Sequence, residues 1–247
     1  METFKLIAAF LVGVFAAFIG SMVGSGGLIS IPFLIFLGLP PQIAIATNRI
    51  GAVGLQIGAL VRFLKSKEID WRYVVRFGLL SLAGAQIGAR LLLQADDAIL
   101  RHIIVGFMLA MLPLLFFMKN LGIENKEVSA GRKAVGYVLL LLTYTWQAFF
   151  GGGAATIIFY VMMLFFGMSI NRSSATNKIP GLLLSVSTLI VFVSHGIVNW
   201  VYGIDLFFGM LAGGYLGAHT ALKKGDAWVK AVFVVVVVVS AVKLVLG

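Results

Sequence analysis

The sequence predicts an all-α integral membrane protein: an inverted-topology repeat of two similar halves with about eight to ten membrane segments, including short or re-entrant half-helices after Gly-rich breaks. Three observations predict it. The 247 residues are 61% hydrophobic with a mean hydropathy of +1.07, more apolar surface than one soluble core of this length can hide. The pentapeptide "ATNRI" at 46–50 returns as "ATNKI" at 175–179. Lys and Arg at equivalent segment ends fall on opposite sides of the apolar stretches.

The repeat holds one register. Asn177 falls 129 positions after Asn48, and the same shift carries Gly24 onto Gly153, Gly38 onto Gly167, Trp71 onto Trp200, Tyr73 onto Tyr202 and Asp97 onto Asp226. "LAGAQIGA" (82–89) falls on "LAGGYLGA" (211–218). Small apolar words recur by chance in membrane segments, but shared Trp, Asn, Thr and Asp in one ungapped register do not. The chain therefore divides into a first membrane repeat (1–118), a cytoplasmic linker (119–133) and a second membrane repeat (134–247), together expected to form one integrated domain.

Each half reads as five hydrophobic stretches: 5–23, 28–38, 42–64, 72–93 and 98–118, then 134–150, 154–168, 171–195, 201–222 and 227–246. Most approach the ~20 residues that cross ~30 Å of hydrocarbon; 28–38 and 154–168 are shorter and are half-helix or re-entrant candidates. The first stretch has the look of a signal peptide, but its counterpart lies in mid-chain, so residues 5–23 are expected to stay in the fold. The run "FVVVVVVSAVKLVL" is β-branched, yet its length favours an embedded helix. The loop 62–76 carries Arg62, Lys65, Lys67, Arg72 and Arg76, whereas its counterpart "VFVSHGIVNWVYGID" carries no Lys or Arg. "QADDAILR" is nearly balanced while "KKGDAWVK" is basic. This asymmetry places 62–76, 119–133 and 223–230 in the cytoplasm and both termini outside a multi-pass protein of the cytoplasmic membrane.

Composition narrows the function classes. Nineteen Lys and Arg against nine acids give +10, but charged residues are only 11% of the chain, which suits loops at a lipid surface better than a nucleic-acid footprint. The absence of cysteine removes disulfides, thiolate metal sites and Cys nucleophiles. No HExxH, GxSxG or His–carboxylate cluster is written, so neither an enzyme, a metal site nor a cofactor is expected.

Glycine clusters interrupt both halves: "GSMVGSGG", with Gly20, Gly24, Gly26 and Gly27, and "FFGGGAAT", with Gly151, Gly152 and Gly153. Four-residue spacing, as in Gly54 and Gly58, Gly84 and Gly88, or Gly213 and Gly217, is a helix-packing pattern. Three consecutive glycines line no single helix face. A segment restarting after such a break presents free N–H groups and the positive end of a helix dipole, which favours anions. Thr47, Asn48 and Arg49, with Thr176, Asn177 and Lys178, sit ~10 Å inside a segment. The threonines also suit interhelical hydrogen bonding. The cations either mark a pathway or snorkel to the interface. All nine acids, Glu2, Glu68, Asp70, Asp96, Asp97, Glu124, Glu127, Asp205 and Asp226, stand in loops or near segment ends. Two cations and two amides without built-in anions leave a small anionic ligand as the missing partner. His102, His195 and His219 look interfacial, and without intramembrane Asp or Glu the membrane potential is the expected drive.

These residues resemble the sulfite exporter TauE/SafE family of anion permeases, in which a Gly-rich break is followed by A-T-N-[RK] in each half. The resemblance covers nearly the whole chain. It implies transport of small sulfur-containing anions (sulfite, sulfoacetate or other organosulfonates), often outward. It assigns substrate binding to Gly24, Ser25, Gly26, Gly27, Thr47, Asn48 and Arg49, with Gly151, Gly152, Gly153, Thr176, Asn177 and Lys178. Gln56, Trp146 and Gln147 are candidates for completing the lining. Sulfur oxyanions offer several acceptor oxygens to amides, hydroxyls and backbone N–H groups; Arg can fork onto two of them, and Lys acts as a point charge. An anion channel and a non-transporting membrane accessory protein are the alternatives; the oligomeric state is not written in the sequence.

Overall fold

The computed structural model describes residues 2–24, 26–100, 102, 103, 106, 127–229 and 231. Ser25, residues 119–126 of the linker and most of the expected segments 98–118 and 227–246 lie outside the described residues. The described elements are α1 (Glu2–Val23), α2 (Gly27–Phe36), α3 (Pro41–Phe63), α4 (Trp71–Gln94), α5 (Ala130–Phe149), α6 (Ala154–Phe166), α7 (Ile170–Thr176), α8 (Lys178–Ser194) and α9 (Trp200–Lys224). No strand occurs among the described residues.

Four of these helices are long and apolar enough to cross a membrane: Thr3–Val23, Pro41–Phe63, Trp71–Gln94 and Trp200–Lys224. A bent pair, α6 with α7 at 114°, makes five if it counts as one span. The surface agrees with a lipid solvent. Phe4, Ile7 and Leu11 of α1, Val75 and Leu79 of α4, and Val201, Ile204 and Phe208 of α9 all face outward. Thr47, Asn48, Arg49, Thr176, Asn177 and Lys178 are buried. Polar groups inside and apolar groups outside is the arrangement hydrocarbon demands.

The shift of 129 residues recurs in the helix boundaries. Short α2 and α6 both begin just after a left-handed glycine, Gly24 (φ +83°) and Gly153 (φ +70°), and both end at another, Gly38 (φ +103°) and Gly167 (φ +70°). Only glycine adopts this backbone without strain, so the four positions set where the half-helices start and stop. One pair departs from the register. Where α3 runs unbroken through Asn48, its counterpart, expected as one segment over 171–195, is divided at Asn177 into α7 and α8. Pro180 stands where the first half has Gly51, and it has no N–H to give the carbonyl of Thr176 four residues back.

The halves interlock. The fourth helix of each packs on the first and third helices of the other: α9 on α1 and α3, α4 on α5 and α8. Glycine seams permit this. A methyl at Gly54 or Gly58 of α3 would collide with the Phe207 or Leu211 carbonyl of α9, and one at Gly213 or Gly217 of α9 with the Val14 or Phe18 carbonyl of α1. Gly84 and Gly88 of α4 abut the Tyr144–Thr145 backbone of α5 in the same way. An aromatic cluster of Tyr73, Phe77, Tyr137 and Phe166 closes the space between α4, α5 and α6.

Exchanged hydrogen bonds tie the helix ends across and within the halves. Thr47 Oγ1 accepts from the Asn199 N–H at 2.9 Å, and Thr176 Oγ1 accepts from the Asp70 N–H at 3.0 Å. Asp97 accepts from the Gln42 N–H at 3.0 Å and Asp226 from the Asn171 N–H at 2.7 Å. Gln42 Nε2 donates to the Leu92 carbonyl and Asn171 Nδ2 to the Ala221 carbonyl. Every pair maps onto its fellow at the same shift.

Gly58→Ala should lower the thermal midpoint of the detergent-purified protein, because forced overpacking costs about 1–3 kcal/mol. Gly131→Ala, whose added methyl meets nothing within 4 Å, serves as the neutral control. Equal melting of the two variants would remove the close seam as a source of stability.

Candidate functional site

The two glycine breaks meet at the centre of the molecule. A Cβ on Gly27 would lie 3.0 Å from Cα of Gly152, and one on Gly24 would lie 2.5 Å from the backbone nitrogen of Thr156. Backbones this close need glycine, and the polar groups freed by the breaks must be satisfied without water. Beside the crossing is a cavity of ≈ 50 Å³. Its walls include Gly20, Gly24, Gly26, Gly27 and Gly151 from the breaks, and Asn48, Arg49, Asn177 and Lys178 from the repeated pentapeptides. Gln56 and Gln147 complete the polar lining; Ala52, Leu55, Ala155, Phe159 and Met210 supply the apolar part. No Asp or Glu is among the lining residues. Such a volume suits one small oxyanion or one to two waters, at roughly 30 Å³ per water in the liquid.

Neither cation snorkels. Arg49 and Lys178 are each 2% exposed. From α3, Arg49 Nη2 donates to the Gln147 carbonyl, and to that of Ala148 at 2.9 Å, both in the last turn of α5. From the start of α8, Lys178 Nζ donates at 3.1 Å to the Ser21 carbonyl in the last turn of α1, which also accepts from Ser174 Oγ at 2.5 Å. Each half's cation thus closes the C-terminal end of the other half's first helix, where orphan carbonyls concentrate negative potential. Lys178 also lies over the Phe63 and Phe159 rings, 5.9 and 5.6 Å from their centroids. Arg49 Nε has no partner in the structure described.

The charge bookkeeping favours an anion. The C-terminal ends of α1 and α5 only partly offset the Arg49 and Lys178 head groups, and the N-termini of α2 and α6 add positive potential, so the field in the cavity is net positive. The amides are held from behind: Asn48 Oδ1 accepts from Ser30 Oγ at 2.6 Å, and Asn177 Oδ1 from Tyr144 Oη at 2.8 Å.

Several residues expected at the site stand elsewhere. Thr47 and Thr176 are fully buried, but their hydroxyls serve the Asn199 and Asp70 backbone and not the cavity. Gly152 and Gly153 shape the break without lining the space. Trp146 packs against Phe149 and Phe150. Ser25 is outside the described residues. Ser30 and Tyr144 were not singled out in the sequence, because no local pattern marks a hydroxyl whose partner lies in another helix, and Ser21 was not because it contributes only its backbone carbonyl.

One ion-pair cluster borders the site. Asp70, 5% exposed, caps α4 through the Arg72 N–H and accepts from Arg72 Nε and Nη2 at 2.9 and 2.8 Å and from Arg172 Nη2 of α7 at 2.9 Å. Its own N–H reaches Thr176, the neighbour of Asn177. The Arg72 hydrogen bonds, with help from Arg172, hold the Asp70 carboxyl below its usual range. Glu68 and Asp226 are both pushed up, chiefly by burial.

The profile of the family described as "Sulfite exporter TauE/SafE" matches residues 9–244. A "Probable membrane transporter protein" of Haemophilus influenzae is 26% identical, over 97% of this chain and 94% of its own length. "Probable membrane transporter protein YfcA" of Escherichia coli K12 is 26% identical over 99% of this chain and 94% of its own. YunE of Bacillus subtilis, also named a probable membrane transporter protein, is 24% identical over 83% and 85%. No solved structure matches the chain significantly.

Because the Asp70 pKa is lowered on folding, its contribution to stability is complete above the unfolded carboxylate value of ~3.9 and is lost as pH falls through the lower folded value. Glu68 and Asp226, raised on folding, work in the opposite direction, so the comparison must isolate Asp70. The stabilisation of wild type over Asp70→Asn should shrink as the pH is lowered from 6 towards 3 in melting experiments; a difference that stays constant would show that the carboxylate charge does not hold α7.

Proposed function

The chain belongs to the sulfite exporter TauE/SafE family, and from that premise we propose that it is a secondary permease for small sulfur-containing anions, sulfite or an organosulfonate such as sulfoacetate. It carries them across the cytoplasmic membrane by alternating access, with export as the net direction. The observation that carries this reading is the central cavity, where two buried cations and two amides converge and no carboxylate lines the wall.

The anion sits between the restarts of α2 and α6, taking hydrogen bonds from the Asn48 and Asn177 amides and the free N–H of Arg49 Nε. Arg49 and Lys178 set the potential while their remaining protons stay on helix-end carbonyls. Thr47 and Thr176 act one layer out, holding the loops that frame the site. The contacts exchanged at the 129-residue shift support the inverted repeat, as does the Lys and Arg asymmetry of the loops. Eight to ten segments follow if the stretches 98–118 and 227–246 also cross. An inside-negative potential supplies ~2.3 kcal/mol per charge per 100 mV for outward anion flow. No Asp or Glu lines the cavity to carry a coupling proton, which supports a potential-driven uniporter.

Purified protein in liposomes should move sulfite or sulfoacetate at a saturable rate that responds to an imposed potential. Asn48→Ala and Asn177→Ala should each cut that flux at least tenfold with insertion intact, since each removes a buried hydrogen-bond donor from the ligand. Wild-type flux in the double variant, or flux that requires a proton or sodium gradient and ignores potential, would sink the proposal.

A further inference from the structure

We propose that Tyr144 is a positioning residue of the cavity: it locks the Asn177 carboxamide with its NH₂ end towards the anion, and Ser30 performs the same task for Asn48 less strictly. The inference rests on the reading of the cavity as an anion site.

A carboxamide has nearly the same shape either way round, but its two ends have opposite meaning for an anion. The NH₂ end donates, whereas the carbonyl end accepts and repels oxyanion oxygens. What decides is the partner behind it. Tyr144 of α5 is fully buried, and Asn177 Oδ1, 2.8 Å away, is the only acceptor its hydroxyl meets among the described residues. Were the amide reversed, Nδ2 would donate to the phenol oxygen and the phenol proton would be left in a dry interior with nowhere to go. An orphaned buried donor of this kind biases the orientation by about tenfold or more. The phenol therefore fixes which end of Asn177 faces the cavity.

Ser30 holds a looser lock. Its Oγ lies 2.6 Å from Asn48 Oδ1 but also 3.2 Å from the Gly26 carbonyl, so a reversed Asn48 would still leave its proton an acceptor. The 129-residue shift carries Ser30 onto Phe159, and Tyr144 is the image of Phe15, so neither hydroxyl has a counterpart in the other half. Two unrelated side chains from different helices therefore orient the two repeated asparagines in one sense. A hydrogen bond inherited passively through duplication would have kept its position.

A double-mutant cycle tests it, with sulfite and sulfoacetate binding measured by thermal shift on the purified full-length protein. Tyr144→Phe should weaken binding about tenfold, and should add nothing in an Asn177→Ala background, because it acts through that amide. Ser30→Ala should give a smaller loss that vanishes in Asn48→Ala; this second cycle carries the test if Tyr144→Phe does not accumulate. Unchanged binding by Tyr144→Phe and Ser30→Ala, or losses that add in full to those of the asparagine variants, would overturn the inference alone. A wild type that binds neither probe, or asparagine variants that bind as the wild type does, would overturn the anion reading and this inference with it.

Discussion

The structure turns on two helices that stop in the middle of the protein. α1 and α5 end at glycine breaks far from water, and each leaves carbonyls that hydrocarbon cannot satisfy. The partner is a cation from the opposite half: Arg49 on the last turn of α5, Lys178 on the last turn of α1. A carbonyl cluster without its cation, or a cation without its carbonyls, would cost several kcal/mol in this setting. Each half is therefore incomplete without the other. The same contact that makes the helix ends tolerable brings two basic side chains beside the restarts of α2 and α6, so the basic lining of the cavity is a by-product of how the breaks are stabilised.

That exchange divides the molecule differently from the sequence. α9 packs with α1 and α3, and α4 with α5 and α8, so each bundle takes two helices from one half and one from the other. Glycine seams bring backbones into contact within a bundle, and such seams resist separation. Arg49 and Lys178 reach between the bundles. In the proposed alternating access, the two bundles, and not the two sequence halves, would be the units that rock, since the bridging cations lie at their common boundary.

Much of this was legible because duplication wrote it twice. The shared register located the breaks, the short segments and the buried pentapeptides, and the structure brings Gly24, Gly26, Gly27, Asn48, Arg49, Gly151, Asn177 and Lys178 around one cavity with Gln56 and Gln147. What resisted reading depends on pairing in space. Thr47 and Thr176 belong to the same motif as the asparagines, yet successive helical residues point about 100° apart, so adjacent members of one pentapeptide serve a loop and a cavity. The division of α7 from α8 follows from Pro180 standing where the first half has Gly51, a difference whose effect falls on a carbonyl four residues away. Tyr144 reaches Asn177 across 33 residues, a separation with no periodic signature.

The departures from the repeat are as informative as the repeat itself. Thr47 with Asn199 and Thr176 with Asp70 are the same contact, but only Asp70 carries charge, and only there does an arginine of the neighbouring helix, Arg172, join it. The equivalent places opposite are held by Asn199, Ile43 and Val201, which can form no ion pair. At this contact one half thus carries a charge network and the other a neutral hydrogen bond. Two faces built alike would have equal energies when closed. Under the proposed alternating access, the charged cluster would favour closure at the face bearing the Lys- and Arg-rich loop, with no equivalent ion pair at the matching contact. In that cycle a duplicated scaffold would supply the two orientations, and a few unduplicated side chains would set the balance between them.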